Sequence, residues 1–426
     1  VRFIQTIRNL FRIPEVRRRL AWTAGLLVAF RIGSHIPLPG VDPSAVRAFA
    51  EAAAAGMGGI WTYLELLSGG ALGRLALFSL GIAPYITASI IVQLLAKASP
   101  ALEAIAKEGN AGKRILQKYT RYATAGVALL QSIFGATQIP AEILTGPGRI
   151  GIVAGMTAGA LLVLWLAEQI TERGLGNGSS VLILAGIVSQ MPSALGEMAV
   201  RSREGDLSLG AIPLVLASFL TAVVGAVFVT KAQRRLPLRS PKQIRGRRMS
   251  LGGASYLPIQ LNAAGVMPVI FASSLLVLPQ MLAFVPGLEA VRTLLVPGGF
   301  AVTLFELAAI VFFSYFWTYL FFRPSDVALQ LKENGTFIAG IRPGQTTADH
   351  VERILVRLTL AGALFLSTVA LAPTLAGQAL GVEKYFAAFL GGTGLLIVVG
   401  VALDLASKLE SYLLMHRYSG FVKESR

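Results

Sequence analysis

The sequence has no cysteine among its 426 residues. That excludes disulfides, thiolate metal sites and a cysteine nucleophile. Only three histidines occur, His35, His350 and His416, far apart along the chain, so no metal centre is expected and no cofactor is implied. Charge is scarce as well: Asp, Glu, Lys and Arg make up 14% of the residues, against about 25% in an ordinary soluble domain. Acid is the scarcer sign, 22 residues against 38 basic ones, for a net charge of +16. Also missing are a P-loop, a His-Glu-x-x-His pair and a Gly-x-Ser-x-Gly elbow, so no catalytic residues are assigned and no enzyme is expected. What fills the chain is apolar, 54% of it, at a mean hydropathy of +0.66. A soluble core of this size has no room for so much apolar surface. The chain reads as an all-α polytopic membrane protein.

A helix needs about 20 mostly apolar residues to cross the hydrocarbon core. Ten such stretches run approximately Leu20–Leu38, Leu75–Ala96, Tyr122–Pro140, Ile150–Ile170, Gly178–Leu195, Ser208–Thr230, Leu261–Val285, Phe300–Phe322, Ile354–Leu375 and Phe386–Ala406. Segments of about ten alternating residues do not recur, which disfavours a barrel. Thirty basic residues fall on one side of this arrangement and eight on the other, which orients both termini to the cytoplasm. The first apolar stretch has a basic flank but no small-residue cleavage site, and reads as a retained helix. Before it, residues 1–19 form a basic arm in which Phe3, Ile4, Ile7, Leu10 and Phe11 alternate with arginines, the pattern of an amphipathic surface helix. The remaining divisions are an N-terminal half (20–200), a C-terminal half (201–406) with cytosolic loops at 231–256 and 323–353, and a cytosolic tail (407–426).

Ten spans divide into two sets of five, and an odd number per set inserts the halves with opposite topology. Span two contains Gly81-Ile82-Ala83-Pro84-Tyr85-Ile86-Thr87-Ala88-Ser89. Span seven contains Gly265-Val266-Met267-Pro268-Val269-Ile270-Phe271-Ala272-Ser273, with Gly, Pro, Ile, Ala and Ser at the same offsets 184 residues later. Equivalent positions in the two halves are what an inverted repeat requires. A proline near mid-membrane in each copy is expected to kink its helix and open an axial cavity; a passive packing kink is the alternative. Apolar pairs one turn apart, Ile82 with Ile86, Ile183 with Ile187 and Ile397 with Val401, share faces that can line such a cavity. Before span two, residues 56–70 are too short to cross a membrane and are bracketed by glycines. They read either as an external surface helix or as a mobile element dipping into the cavity.

Longer motifs carry a resemblance. The run Ser79-Leu80-Gly81-Ile82-Ala83-Pro84-Tyr85-Ile86-Thr87-Ala88-Ser89-Ile90-Ile91-Val92-Gln93-Leu94-Leu95 resembles the signature of the SecY/Sec61-alpha family of protein-conducting channels. Further similar stretches are Thr171-Glu172-Arg173-Gly174-Leu175-Gly176-Asn177-Gly178, Leu261-Asn262-Ala263-Ala264-Gly265-Val266, Gly340-Ile341-Arg342-Pro343-Gly344 and Met415-His416-Arg417-Tyr418-Ser419-Gly420-Phe421. The resemblance runs from the basic arm to the tail. It implies ten helices in two five-helix halves around an hourglass pore in the bacterial cell membrane. Secretory polypeptides would pass across, and hydrophobic segments would leave sideways into lipid. It further implies a pore ring of Ile82, Ile86, Ile183, Ile187, Ile270 and, from span ten, Val401 or Ile397. It implies a plug that includes Ile60, Trp61, Leu64, Leu67, Ser68, Gly69 and Gly70, and a lateral gate with Thr87, Gln131 and Asn262. Gln131 and Asn262 have an equal alternative as ordinary interhelical hydrogen-bonding groups.

The loop Lys231–Arg248 carries eight basic residues and no acid. Orientation and anionic lipid account for part of that charge. By the resemblance, Arg247, Arg248 and Arg342 dock the SecA ATPase or the ribosome, the latter through rRNA phosphates, and SecE and SecG are the expected membrane subunits. Signal sequences and unfolded chains are the expected substrates. A proton- or sodium-coupled transporter is the rival architecture, but it needs ionisable groups at mid-membrane. Glu168 and Asp404 lie near cytosolic ends of their spans and Glu306 near the opposite face. A membrane enzyme is the other rival class.

Overall fold

A computed structural model describes residues 13–42, 44–57, 59–146, 148–204, 211–239, 243–245, 248–250, 254–262, 264–265, 267–282, 299–379 and 392–424. Helix α1 (Pro14–Gly33) opens with proline in its first turn, where the missing N–H leaves no bond unmade. The basic arm is therefore not a separate element throughout: residues 14–19 are the first turns of α1, with Val16 buried, and residues 1–12 lie outside the described ones. Two short helices follow, α2 (Val46–Met57) and α3 (Gly59–Ser68).

Helix α4 (Ala83–Ala98) corrects the expected second span. Hydropathy starts the span at Leu75, yet 72–82 form turns and Leu75 itself has φ of 43°. Pro84 lies in the first turn of α4, and Pro268 is the second residue of α10 (Met267–Leu282). Both prolines start helices rather than kinking them. Each start follows a glycine in the left-handed region, Gly81 at φ 53° and Gly265 at φ 64°, a conformation that Cβ makes unfavourable. The repeated motif thus encodes a shared turn-to-helix junction. After α4, Ser99 is extended ahead of Pro100, as the proline ring requires, and α5 (Pro100–Lys107) leaves at 101°.

The rest of the first set is α6 (Asn110–Gln138), α7 (Gly148–Arg173) and α8 (Gly178–Glu204). Buried Thr120, Thr124, Ala128, Ser132 and Ala136 recur every fourth residue of α6. These small side chains let α6 and α7 approach, and Ser132 and Thr157 are joined by a 2.8 Å hydroxyl–hydroxyl hydrogen bond. The second set comprises α9 (Ala211–Lys231), α10, α11 (Phe300–Phe321), α13 (Gln345–Ala379) and α14 (Gly392–Glu424), with α12 (Pro324–Glu333) between α11 and α13. The expected tail continues α14 as helix up to Glu424.

Packing partners recur between the sets. In the first, α4 packs on α6, α6 on α7, α7 on α8, and α1 on both α7 and α8. In the second, α10 packs on α11, α11 on α13, α13 on α14, and α9 on both α13 and α14. The sets meet where α4 faces α10 and where α8 faces α14. Among the described residues, Gly148–Arg173, Phe300–Glu333 and Gln345–Leu371 contain stretches long and apolar enough to cross a membrane, and the bent α4–α5 pair adds a fourth.

The two basic loops are not irregular. Strand β1 (Gln233–Arg239) pairs antiparallel with β4 (Ala254–Gln260), from Gln233 opposite Gln260 to Arg239 opposite Ala254. Beyond their ends β2 (Gln243–Arg245) pairs with β3 (Arg248–Ser250). Strand β5 (Phe337–Ile338), from the second loop, adds to the free edge of β1. Leu236, Leu238, Ile259 and Ile338 bury one face against Val351, Ile354 and Leu355 of α13, so the loops share one small apolar core.

Candidate functional site

The expected ring residues come from two separate stretches of the first set and two of the second, and all are buried. Ile82, Ile86, Ile183, Ile187, Ile270, Ile397 and Val401 belong to one continuous apolar cluster. Ile397 and Val401 are equally buried, so span ten contributes a pair of apolar side chains to this cluster. Ile86, Ile183 and Ile270 line an open cavity of 770 Å³ whose wall also includes Tyr85, Phe271 and Trp317. Phe271 packs against Trp317 at 5.0 Å between centroids with the rings tilted by 31°, which ties α10 to α11.

Helix α3 is the short element expected at 56–70. Its Leu67 lies in the same apolar cluster as the ring residues, and Trp61 packs edge-on against Phe49 of α2 at 5.9 Å. Leu64 is half-buried, and Ile60 is the second residue of the helix. The C-terminal end of α3 is fixed by several hydrogen bonds. Arg31 Nη1 donates to Gly69 O at 3.0 Å, Gln190 Nε2 donates to Glu65 O at 3.0 Å, and Ser68 Oγ accepts from Leu72 N at 3.2 Å. Gly69 and Gly70, at φ 67° and 80°, turn the chain there. A Cβ on Gly81 would lie 2.8 Å from Ser68 Cα, so this glycine lets the end of α3 rest on the junction before α4.

The expected gate residues divide. Thr87 is buried on α4, the helix that faces α10. Gln131 is half-buried on α6. Asn262 is buried with Nδ2 donating to Gly265 O at 2.8 Å, which closes the turn before α10. Its bond is local to that turn and joins no second helix. Of the docking residues, Arg342 is exposed and its carbonyl accepts from Thr347 Oγ1 at 2.8 Å. Arg248 opens β3, and Arg247 lies outside the described residues. Sequence reading passed over Arg234, Arg235 and Arg239 as specific sites. They lie on exposed positions of β1, and Arg235 stacks over Tyr256 at 4.8 Å. The alternation Arg-Leu-Pro-Leu-Arg was the signal available for that strand.

The Thr171–Gly178 motif is a sharp reversal between α7 and α8. Thr171 Oγ1 accepts from Gly178 N at 2.8 Å, and Asn177 Oδ1 accepts from Ser179 N at 3.1 Å as the cap of α8. A Cβ on Gly178 would meet Ala167 O at 1.8 Å. Nearby, Arg121 Nε and Glu168 Oε1 form a 2.6 Å ion pair between α6 and α7.

The family model for SecY matches residues 76–406. The chain belongs to the SecY family. It is similar to the SecY protein translocase subunit of Aquifex aeolicus, with 39% identity over 431 residues that cover 98% of this chain and 99% of that one. It is also 39% identical over 428 residues to that of Escherichia coli K12, covering 97% and 95%. Among solved structures, it resembles a SecY channel described by a plug domain that stabilises its closed state, at a TM-score of 0.67 and 18% identity. That likeness covers 93% of this chain and 92% of that one. The canine Sec61 channel in a ribosome complex gives a TM-score of 0.61 at 15% identity, over 93% and 92%. At these identities the structural likenesses establish the SecY fold alone.

Proposed function

We propose that this chain is the channel-forming subunit of a protein translocase: it conducts unfolded secretory polypeptides across the bacterial plasma membrane and releases hydrophobic segments sideways into lipid. The observation that carries the reading is that the isoleucines expected to form a ring and Leu67 of the expected plug share one buried apolar cluster. Isoleucines from α4, α8 and α10 line an open cavity, and α3 contributes Leu67 to the same cluster. An apolar constriction excludes water and ions by dewetting. It offers a passing polypeptide no fixed donors or acceptors, so it accepts any sequence.

On this reading ten helices span the membrane as two inverted halves. The recurring packing partners and the matched glycine–proline junctions support that symmetry. The lateral gate lies where α4 faces α10, with Thr87, Gln131 and Asn262 along it. The excess of basic loops on one side supports cytoplasmic termini. The β1–β5 sheet and Arg342 form the docking face, to which Arg247 and Arg248 also contribute. The partners are a SecA-type ATPase, the ribosome through its rRNA phosphates, SecE and SecG membrane subunits, and anionic lipid. Motion is driven by the partner.

Reconstitution tests this directly. Vesicles holding the chain with its membrane subunits are mixed with motor ATPase, ATP and a secretory precursor, and protease-protected precursor is measured. Protection that needs ATP, the motor and this chain is expected. Equal protection in vesicles without the chain contradicts the proposal.

A further inference from the structure

Five charged side chains line the cavity that Ile86, Ile183 and Ile270 also line: Lys97 at the end of α4, Glu103 and Lys107 on α5, Lys113 at the start of α6, and Arg323 beyond α11. Four are cations and one is an acid. Glu103 Oε1 pairs with Lys107 Nζ at 3.0 Å. Lys97 and Arg323 add to the positive field at that carboxylate, which Lys107 holds below the usual carboxylate range. The bend between α4 and α5 brings these groups together, and α5 buries none of its own residues. The collar therefore carries net positive charge in the wall of the same cavity that Ile86, Ile183 and Ile270 line.

We infer that this cationic collar makes passage selective for the charge of the translocating segment: acidic segments pass readily, while basic segments are held back on the side from which they arrive. The inference rests on the channel reading above. Two unit charges about 10 Å apart in water change a rate or equilibrium by about twofold, so several collar charges acting on a run of substrate charges give a several-fold effect. The groups are solvent-exposed, so the effect shrinks as salt rises. A collar of this kind also helps keep the basic flank of a hydrophobic segment on the side where it started, the distribution that orients membrane helices.

The test uses the reconstituted translocase and two precursors that differ only in a mid-chain run, three lysines against three aspartates. The quantity read is the ratio of their translocation rates at low and high salt. With the parent chain, the acidic precursor is expected to move several-fold faster at low salt. Lys97→Glu with Lys113→Glu is expected to shrink or invert that ratio. The double exchange Glu103→Lys with Lys107→Glu keeps the collar's net charge and is expected to leave the ratio unchanged. An unchanged ratio in the Lys97/Lys113 variant overturns the inference, and so does an equal fall in both rates, which marks a docking or structural role. The parent chain's translocation of the unmodified precursor in the same vesicles reports separately on the channel reading.

Discussion

Replacing Gly81 by alanine should unseat the plug. The new Cβ would lie 2.8 Å from Ser68 Cα and 2.9 Å from Leu67 O, both at the backbone end of α3. Backbone atoms do not swing aside as a flexible side chain does, so the clash is relieved by moving α3. The φ of 53° at Gly81 adds strain of about 1–2 kcal/mol. That strain is common to seated and unseated states as long as the turn keeps its shape. The difference between the states comes from the clash, and overpacking of this kind costs about 1–3 kcal/mol. It amounts to a shift of roughly five- to 150-fold towards the unseated plug, since 1.4 kcal/mol is about tenfold. Bilayer recording on the reconstituted variant should show resting ion conductance well above the parent's, with Gly81→Ser behaving alike. A well-folded Gly81→Ala channel with the parent's resting conductance would refute the seating of α3 on this junction.

Further outcomes follow from the same geometry. Ile82→Ser combined with Ile86→Ser should wet the constriction and raise resting leak in bilayer recordings, whereas Leu162→Ser on an exposed face of α7 should not. Arg342→Glu should abolish motor-driven translocation while leaving insertion and thermal stability unchanged, checked by protease protection and melting in detergent. Asn177→Ala removes the cap of α8 and should lower stability by about 1 kcal/mol, read as a reduced melting temperature. The depressed Glu103 carboxyl implies a pH window. Its pairing with Lys107 is fully present above the ordinary carboxylate pKa and is lost as pH falls through the lowered one. The collar should therefore gain positive charge, and reject basic precursors more strongly, only below the ordinary carboxylate range.

The membrane class was legible because hydropathy reports burial in lipid without knowledge of packing. The bounds Gly178 and Phe300 also matched, since each helix begins at the glycine or apolar residue where its run begins. The start of α4 was not legible from hydropathy. Leu75–Ile82 is as apolar as a span, and only the left-handed turn at Gly81 and the proline at 84 mark where the helix begins. Read as a stop signal, Pro84 falsely indicates a kink; read as a first-turn residue, it gives the start. The β-sheet escaped for another reason. Its core joins Leu236 and Leu238 to Ile338 of a distant strand and Val351 of α13, and basic residues on the exposed face mask the alternation. At the site, helical spacing and resemblance sufficed to single out Ile82, Ile86, Ile183 and Ile187, which the structure buries in one apolar cluster. The seating bonds of Arg31 and Gln190 on α3 were not, because nothing in their neighbouring sequence points across to that helix.

Site-specific crosslinking to an arrested precursor tests the central claim most directly. The chain has no native cysteine, so single cysteines at Ile86, Ile183 and Ile270 can each be paired with one cysteine in a precursor stalled midway across the membrane. Disulfide formation at all three positions, with none at exposed Leu162 or Phe228, is the result expected if the isoleucines encircle the moving chain. Crosslinks at the exposed positions, with none at the isoleucines, would place the polypeptide outside the ring and contradict the account.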